Sequence, residues 1–222
     1  MSLQKIHLRK LLQIICASEA KRVSLLREDI RNDIHREISE DEGGGNFHVP
    51  FWADAKGHVA GRLDLITQTK FRIEKNPRRG RLYPRLQDGF LLWWNEKRRW
   101  KNEPFEQVLD SIKALYPVPE LDSVVKIDNT LAFKVGDRSE RVIYPYFSEE
   151  PSLPDEGARV GLWLLGEALR PHKIENIRIF DVLRSKSFST VDVPIRGDEQ
   201  NIFLSRYAEA IKQWEKLKDD YK

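Results

Sequence analysis

The chain has 222 residues, of which 40% are apolar and 33% are charged, and its formal net charge is +3. The apolar share, with ten phenylalanines and six tryptophans, can form a hydrophobic core, and the charged share indicates an ionic, soluble surface. The single cysteine, Cys16, excludes an internal disulfide, and its apolar neighbours favour a buried structural thiol over a nucleophile. No run approaches the ~20 apolar residues of a membrane span, and the start of the chain lacks the pattern of a secretory signal. We therefore expect a cytoplasmic protein in a reducing compartment.

The first half of the chain has the apolar spacing of amphipathic helices. Residues 3–19 are predicted to form a first helix. A second helix is predicted to begin at Ser24 as its N-cap and to end at the flexible linker Gly43-Gly44-Gly45. Asp54 is expected to cap a third helix, which Asn76-Pro77 ends. The residues of these helices that we expect to face the core are Leu8, Leu11, Leu12, Ile15, Leu26, Ile30, Ile34, Ile38, Val59, Leu63, Ile66 and Ile73.

A basic and aromatic segment follows these helices. Residues 70–101 contain eleven lysines and arginines against three acids, an excess of eight positive charges on a chain whose total is +3. Residues 78–84 are predicted to form a loop, and residues 85–101 a fourth helix. In that helix, Leu86, Phe90, Trp93 and Trp94 should point toward the core, and of the two adjacent tryptophans one should face inward while the other lies nearer the rim. A block of this kind is typical of a face that binds a polyanion.

The second half of the chain is rich in β-branched and aromatic residues, which favour strands. Three strands are predicted at residues 123–128, 131–135 and 141–147, with a hairpin turn at residues 136–139 between the last two. The remaining predicted elements are a helix at residues 155–169, strands at residues 176–183 and 186–193, and a final helix that begins at residues 197–198.

These elements together predict an α+β protein, with a helical N-terminal half followed by a mixed β-sheet flanked by helices. From about residue 85 the predicted core order is α-β-β-β-α-β, with an extra strand and helix appended. The length suits one large domain or two small ones. The change of composition at Glu103-Pro104 predicts a helical region over residues 1–104 and a sheet domain over residues 105–222.

Three segments of the sheet domain carry a resemblance to a known family. They are Val125-Lys126-Ile127-Asp128, Val142-Ile143-Tyr144-Pro145-Tyr146-Phe147 and Ala158-Arg159-Val160-Gly161-Leu162-Trp163-Leu164-Leu165. Over residues 120–221 the order of the predicted elements and the residue types of these segments resemble the PD-(D/E)XK nuclease superfamily, and most of all its RecB-type exonuclease branch. The resemblance implies a nuclease-like sheet, in which an Asp and the acid of an Asp/Glu-x-Lys on the next strand hold a divalent metal at the scissile phosphate. The lysine of that motif is expected to orient the nucleophile or to offset developing charge.

The chain departs from that family at the residues that carry the chemistry. Asp128 matches the first acid, but Tyr144 and Tyr146 stand where the second acid and the lysine belong. A phenol that titrates near pH ~10 is a poor Mg²⁺ ligand, so the resemblance implies a catalytically degenerate copy without a metal site. The alternative is an active Mg²⁺-dependent DNA nuclease that uses Asp128. Its relocated ligands would come from Glu149, Glu150, Asp155 or Glu156.

The basic block supplies the candidate binding residues. Four arginines within eight residues of a Pro/Gly loop suit bidentate phosphate contacts, whereas Trp100 is expected either to stack on a base or to cover the core. The block could also bind an acidic protein surface or be simple solvated charge. The i, i+4 spacing of Asp54 and His58 can bind a metal, and it also suits an ordinary contact between two side chains of one helix. The predicted nucleic-acid-binding residues are Arg78, Arg79, Arg81, Arg85, Lys97, Arg98, Arg99, Lys101 and Trp100.

The sequence thus favours a nucleic-acid-associated accessory or scaffold protein on an inactivated nuclease-like fold. It is expected to act with a protein partner, and analogy at the level of the fold points to DNA repair, mobile-element or phage-defence machinery. The alternatives are the metal-dependent nuclease and an assembly subunit whose basic face binds an acidic protein. No small-molecule cofactor and no membrane association are expected.

Overall fold

The computed structural model describes residues 3–38, 47–98, 102–108, 110–136 and 139–221, and within these ranges it contains seven α-helices and eight β-strands. The predicted α+β class, with helices first and strands after them, is confirmed. The helices are α1 (Leu8–Ile15), α2 (Glu19–Ile38), α3 (Val49–Val59), α4 (Leu65–Lys75), α5 (Tyr83–Leu92), α6 (Asp155–Ala168) and α7 (Glu199–Lys218). The strands are β1 (Lys5–His7), β2 (Phe105–Val108), β3 (Ala114–Val118), β4 (Ser123–Ile127), β5 (Leu131–Val135), β6 (Ser139–Tyr146), β7 (Ile177–Asp181) and β8 (Lys186–Phe188). Within the same ranges, no helix is both long enough and apolar enough to cross a membrane.

The strands form two mixed sheets. The smaller sheet has the order β1-β4-β3, with β1 parallel and β3 antiparallel to β4. The larger sheet has the order β2-β5-β6-β7-β8, in which β6 and β7 are parallel and are connected by α6. The chain passes from one sheet to the other between β4 and β5, where Asn129 adopts a left-handed conformation with φ 57°. Asparagine tolerates this conformation better than most residues, so it can end β4 and redirect the chain.

Two apolar clusters cover the two faces of the larger sheet. On one face Val142 and Tyr144 join residues of α1, α2, α6 and α7. On the other face Phe133 and Ile143 join residues of α3, α4 and α5. From residue 142 to residue 146, strand β6 is therefore buried on both faces, which explains why that part of its sequence carries no charged residue. The predicted boundary between residues 104 and 105 stays a prediction.

The first predicted helix is shorter than expected. Its first turn is replaced by β1, which pairs in parallel with β4 through Lys5 and Val124. The apolar residues of this segment are buried even though part of it is strand and part is helix: Ile6 of β1 and Leu11 of α1 both lie in the core.

The predicted third helix is wrong as a single element, because the structure divides it into α3 and α4. Gly61 lies between them with φ 68°, a conformation that glycine adopts without strain. Asp54 does not cap a helix but lies inside α3, and the cap of α4 is Asp64, which accepts a hydrogen bond from the Thr67 amide at 2.8 Å. Ile66, which was expected to face the core, is 44% exposed. The predicted end at Asn76-Pro77 is confirmed.

The predicted fourth helix becomes α5 followed by one π-helical turn, Trp93–Lys97. The prediction that one tryptophan lies nearer the rim is wrong, since both are buried. The ring centroid of Trp93 lies 4.5 Å from that of Phe180, and that of Trp94 lies 5.7 Å from that of Phe133. The larger sheet therefore supplies an apolar surface for each ring.

The strands β4, β5, β6 and β7 and the helices α6 and α7 occur in the predicted order. Strands β2 and β3, which were not predicted, lie between α5 and β4, and β8 stops at residue 188 rather than at residue 193. The Gly43-Gly44-Gly45 linker and the tip of the predicted turn at residues 137–138 lie outside the described residues.

Candidate nucleic-acid interface

The described members of the predicted basic set do not form one surface, and four of them divide between two clefts. Lys97 and Arg98 line the first cleft, and Arg81 and Arg85 line the second. The other predicted members are Arg78 and Arg79 in a short 3₁₀ turn, and Arg99, Trp100 and Lys101, which lie outside the described residues.

The first cleft has a volume of about 560 Å³ and lies between the π-helical turn after α5, strands β6 and β7, and the turn that leads into β8. Its floor includes Arg141 and Ile143 of β6 and Arg178 of β7. Arg178 is the register partner of Ile143, so it lies on the same face of the sheet. Among the described residues, six cationic side chains line the cleft against two carboxylates, an excess of four positive charges. The cations are Lys97, Arg98, Arg141, Arg178, Arg184 and Lys186, and the carboxylates are Glu103 and Asp192.

A close approach between two backbones shapes one wall of this cleft. The 3₁₀ turn Val182–Arg184 joins β7 to β8 and packs against α5. A Cβ atom on Gly89 of α5 would lie only 1.9 Å from the carbonyl oxygen of Val182, so the two segments can approach because residue 89 has no side chain. Ser185 then adopts φ 50° and leads into β8. This turn presents Arg184, Ser185 and Lys186 to the cleft.

Three of the cations donate hydrogen bonds to neutral acceptors. Lys97 Nζ lies 3.5 Å from the carbonyl oxygen of Ser185, and Arg141 donates to the side-chain oxygen of Asn176. Arg178 donates to the carbonyl oxygens of Glu175 at 2.7 Å and Ile177 at 2.9 Å. Neutral acceptors orient a cation without cancelling its charge, so these bonds preserve the positive potential of the cleft.

Two other cations have acidic neighbours of their own. Arg184 Nη1 lies 3.2 Å from Asp181 Oδ1, and Lys186 Nζ lies 3.0 Å from Asp155 Oδ1. Asp181 is buried, and burial raises the pKa of its carboxyl group, with Arg184 acting against that shift. The Lys186–Asp155 pair is exposed, so its attraction is largely screened by water.

The sixth cation, Arg98, lies on aromatic rings. Its guanidinium carbon is 3.6 Å from the ring centroid of Trp94 and 5.1 Å from that of Phe105. Burial lowers the pKa of Arg98, but an arginine stays charged near neutral pH. The stacking therefore fixes the direction of a full positive charge at the wall of the cleft.

Ser185 adds a polar group to the same wall. Its side chain is 5% exposed, and its hydroxyl has no hydrogen-bond partner among the described residues. A buried hydroxyl that makes no hydrogen bond costs free energy, and an anionic ligand oxygen is one acceptor that would remove this cost.

The second cleft has a volume of about 580 Å³ and is lined by Arg9, Lys21, Arg81 and Arg85, together with three glutamates. Both predicted arginines contact one of these, Glu149. Arg81 donates to Glu149 Oε1 at 2.9 Å and Oε2 at 2.5 Å, and Arg85 donates to Oε1 at 2.6 Å. The hydrogen bond from Arg81, followed by the contact with Arg85, lowers the pKa of Glu149. In this structure the two arginines therefore hold a carboxylate of their own chain.

The remaining described arginines of the predicted set differ in exposure. The guanidinium of Arg79 lies 5.3 Å from the ring centroid of Tyr83 and donates to the carbonyl oxygen of Arg72 at 3.4 Å. These contacts give Arg79 a structural role. Arg78 is exposed, and its phosphate-binding role stays a prediction.

The residues around Asp128 do not fit a Mg²⁺ site. Asp128 Oδ2 lies 3.2 Å from His7 Nδ1, and Asn129 donates to Oδ1 at 3.1 Å. Burial raises the pKa of Asp128, but its hydrogen bond with His7 and the charge of that residue outweigh this and leave the pKa lowered. The phenol oxygen of Tyr144 accepts a hydrogen bond from the Arg9 amide at 2.9 Å, and Tyr146 donates to the Pro151 carbonyl at 2.8 Å. Both phenols are buried, and both form hydrogen bonds with the backbone of the same chain.

Other candidate metal ligands are also engaged in contacts within the chain. Asp54 forms a bidentate pair with Arg72 at 2.8 and 2.9 Å, and His58 Nδ1 accepts from the Leu65 amide at 3.3 Å. In the part of the chain that the structure describes, no group of three His, Cys, Asp or Glu side chains could hold a metal ion. The four acids of the relocated-ligand alternative each contact a basic side chain, namely Arg81 and Arg85 for Glu149, Lys21 for Glu150, Lys186 for Asp155 and Arg206 for Glu156.

Sequence reasoning missed most of the first cleft. Arg141, Arg178, Arg184 and Lys186 come from the second half of the chain, outside the basic block. A signal was present at Arg178, because an arginine at a half-buried position interrupts the apolar run of β7, whereas Arg141 follows the polar Ser139 and Glu140 and gave no such signal. No protein-family model matches the chain, and no curated protein matches it with statistical support.

Proposed function

We propose that this protein binds nucleic acid through the first basic cleft and acts as an accessory or scaffold protein rather than as a nuclease. The observation that carries the proposal is the convergence of six cationic side chains on one cleft beside the buried hydroxyl of Ser185. Guanidinium groups match the oxygens of phosphate in pairs, and several cations in one cleft suit a ligand with several phosphates. The continuation of the basic run beyond Arg98 into residues 99–101 supports the same ligand class.

The accessory role rests on the surroundings of Asp128. The hydrogen bonds of Tyr144 and Tyr146 go to the backbone of the same chain, and Asp128 is engaged by His7 and Asn129. We derive no hydrolytic step from these residues. A partner that supplies the catalytic activity is part of the proposal, and its placement in DNA repair, mobile-element or phage-defence machinery remains an analogy based on the resemblance of the sheet.

The test is binding of fluorescent DNA and RNA oligonucleotides, single-stranded and duplex, measured by anisotropy over a range of NaCl concentrations. We expect the logarithm of the affinity to fall linearly with the logarithm of salt, by about 0.9 per phosphate contact for duplex DNA. The double variant Lys97→Gln/Lys186→Gln should bind less tightly and with a slope smaller by about 1 to 2. Both side chains are exposed, so the fold should tolerate the changes.

A matched control removes the same charge elsewhere. Lys5→Gln/Lys126→Gln changes two lysines of the small sheet, which line a different depression of the surface. Equal loss of affinity in the two double variants would mean that total charge, and not the cleft, governs binding. Absence of nucleic-acid binding at low salt would overturn the proposal and favour an acidic protein as the partner.

A further inference from the structure

The second cleft already contains an oxyanion. The two oxygens of Glu149 receive three hydrogen bonds from Arg81 and Arg85, in the forked geometry that also suits a phosphate group. The side chains of Arg81 and Arg85 are 74% and 54% exposed, whereas that of Glu149 is 29% exposed. Ion pairs this exposed contribute about 0–1 kcal/mol each, so the fold depends little on them. The arginines are thus available to a competing anion.

A single side chain joins the two clefts. Arg184 lines the first cleft and donates to the carbonyl oxygens of Ser148 at 2.9 Å and Glu149 at 2.5 Å, and both of these residues line the second cleft. The wall between the clefts is therefore only as thick as one guanidinium group and the backbone that it contacts. A polymer that crossed this wall would place phosphates in both clefts.

The rest of the second cleft adds two cations beside two further carboxylates, those of Glu28 and Glu150. Arg9 and Lys21 line it, and the Arg9 guanidinium lies 5.7 Å from the ring centroid of Phe147. His48 stacks on that ring with centroids 4.9 Å apart and planes 8° apart, which gives the cleft a flat aromatic floor.

We propose that the second cleft is a further phosphate subsite of the interface, and that Glu149 occupies it as an internal competitor until nucleic acid displaces the carboxylate from Arg81 and Arg85. The proposal rests on the proposed function, because the ligand is the same polyanion. In this proposal Glu149 acts as a latch, meaning that it holds Arg81 and Arg85 until a ligand displaces it. The latch weakens the binding of ligands that are too short to reach both clefts.

Two neighbouring glutamates provide a charge-matched experiment. Glu149→Gln and Glu150→Gln each remove one negative charge from the same cleft, but Glu150 is 77% exposed and contacts only the Lys21 amine among described cations, at 3.7 Å. We expect Glu149→Gln to bind a DNA strand long enough for both clefts about tenfold more tightly at low salt than Glu150→Gln does. Its salt slope should also be steeper, by up to about 2.

The arginines supply the second arm of the test. In the Glu149→Gln background, Arg81→Gln/Arg85→Gln should remove the gain in affinity. Equal affinities of the two glutamine variants, or a gain that persists without the arginines, would overturn the latch. The double change Lys97→Gln/Lys186→Gln separates the two clefts. If it left the affinity of the wild type unchanged, and the gain from Glu149→Gln persisted in its presence, the role of the first cleft would be overturned and the subsite would be kept.

Inorganic pyrophosphate, titrated calorimetrically into Glu149→Gln, tests the subsite without a polymer. Heat that depends on Arg81 and Arg85 supports the subsite, and its absence counts against it.

Discussion

The contact between Gly89 and the turn Val182–Arg184 provides a direct test of how packing shapes the first cleft. In Gly89→Ala, the added Cβ would lie 1.9 Å from the Val182 carbonyl oxygen and 3.1 Å from its carbonyl carbon. Comfortable separation is about 3.5 Å, so the two backbones must part by roughly 1.5 Å. Both contacting atoms belong to backbone, and rotation of a side chain cannot relieve the overlap.

The expected cost follows from two opposing terms. Overpacking costs about 1–3 kcal/mol, and the rigid contact places this case near the upper end. Alanine regains about 1 kcal/mol of helix propensity over glycine, which leaves a net loss of about 2 kcal/mol in the free energy of unfolding. Because α5 leads into the turn that carries Lys97, the same displacement should separate Lys97 from Arg184 and lower DNA affinity.

Urea denaturation and salt-dependent DNA binding together measure this effect. Gly166→Ala is the control, because the Cβ added there would meet the flexible end of Ile174 at 3.0 Å, within a helix of the same kind. We expect this control to keep wild-type stability and binding. If Gly89→Ala matched the control in both measurements, the close approach would have no part in forming the cleft.

Three further predictions concern buried ionisable groups. Arg159 and Glu199 are 4% and 1% exposed and form an ion pair. Glu199→Ala should therefore lower the free energy of unfolding, measured by urea titration, by about 3 kcal/mol, and a loss below ~1 kcal/mol would contradict a stabilising role for the pair. Burial, with the charge of Arg9, lowers the pKa of His48 to about 4, whereas the unfolded chain titrates near 6.5. Between these values the unfolded state binds more protons, so stability should fall by about 2.5 kcal/mol as the pH drops from 6.5 to 4, and His48→Phe should show a smaller fall. Burial raises the pKa of Cys16 to about 12, so its reaction with a disulfide reagent at pH 8 should be more than ~100-fold slower than that of a free cysteine, and rapid labelling of the folded protein would refute this.

Elements with a regular local pattern were predictable from the sequence. The strands β4, β5 and β6 are rich in β-branched and aromatic residues, and α6 and α7 have helical apolar spacing, so each could be located without knowledge of its neighbours. Strand β1 could not, because three residues beside a helix become a strand only through pairing with β4, more than a hundred residues later. The division between α3 and α4 was missed because the periodic positions Val59, Leu63 and Ile66 continue across Gly61.

The candidate site was less predictable than the fold, because charge density along the sequence is not charge density in space. Lys97 and Arg98 were found from their local run of cations. Arg178 joins them only because β6 and β7 pair in parallel, which sets Arg178 beside Ile143. Glu149 lies 68 residues after Arg81. No local pattern could therefore indicate that this carboxylate accepts hydrogen bonds from the arginines that were predicted to bind phosphate.

The position of Arg141 and Arg178 in the fold is itself an argument for function. Both lie on strands of a sheet whose two faces are covered by apolar clusters, and both are partly buried. An apolar side chain at either position would extend the cluster around Ile143 and Phe180, and it would avoid the cost of removing a guanidinium from water. The hydrogen bonds of Arg141 to Asn176, and of Arg178 to backbone carbonyls, orient these groups through neutral acceptors. Positions where a sequence departs from the pattern of its own fold are where function is expected, and here both departures direct positive charge into the same cleft.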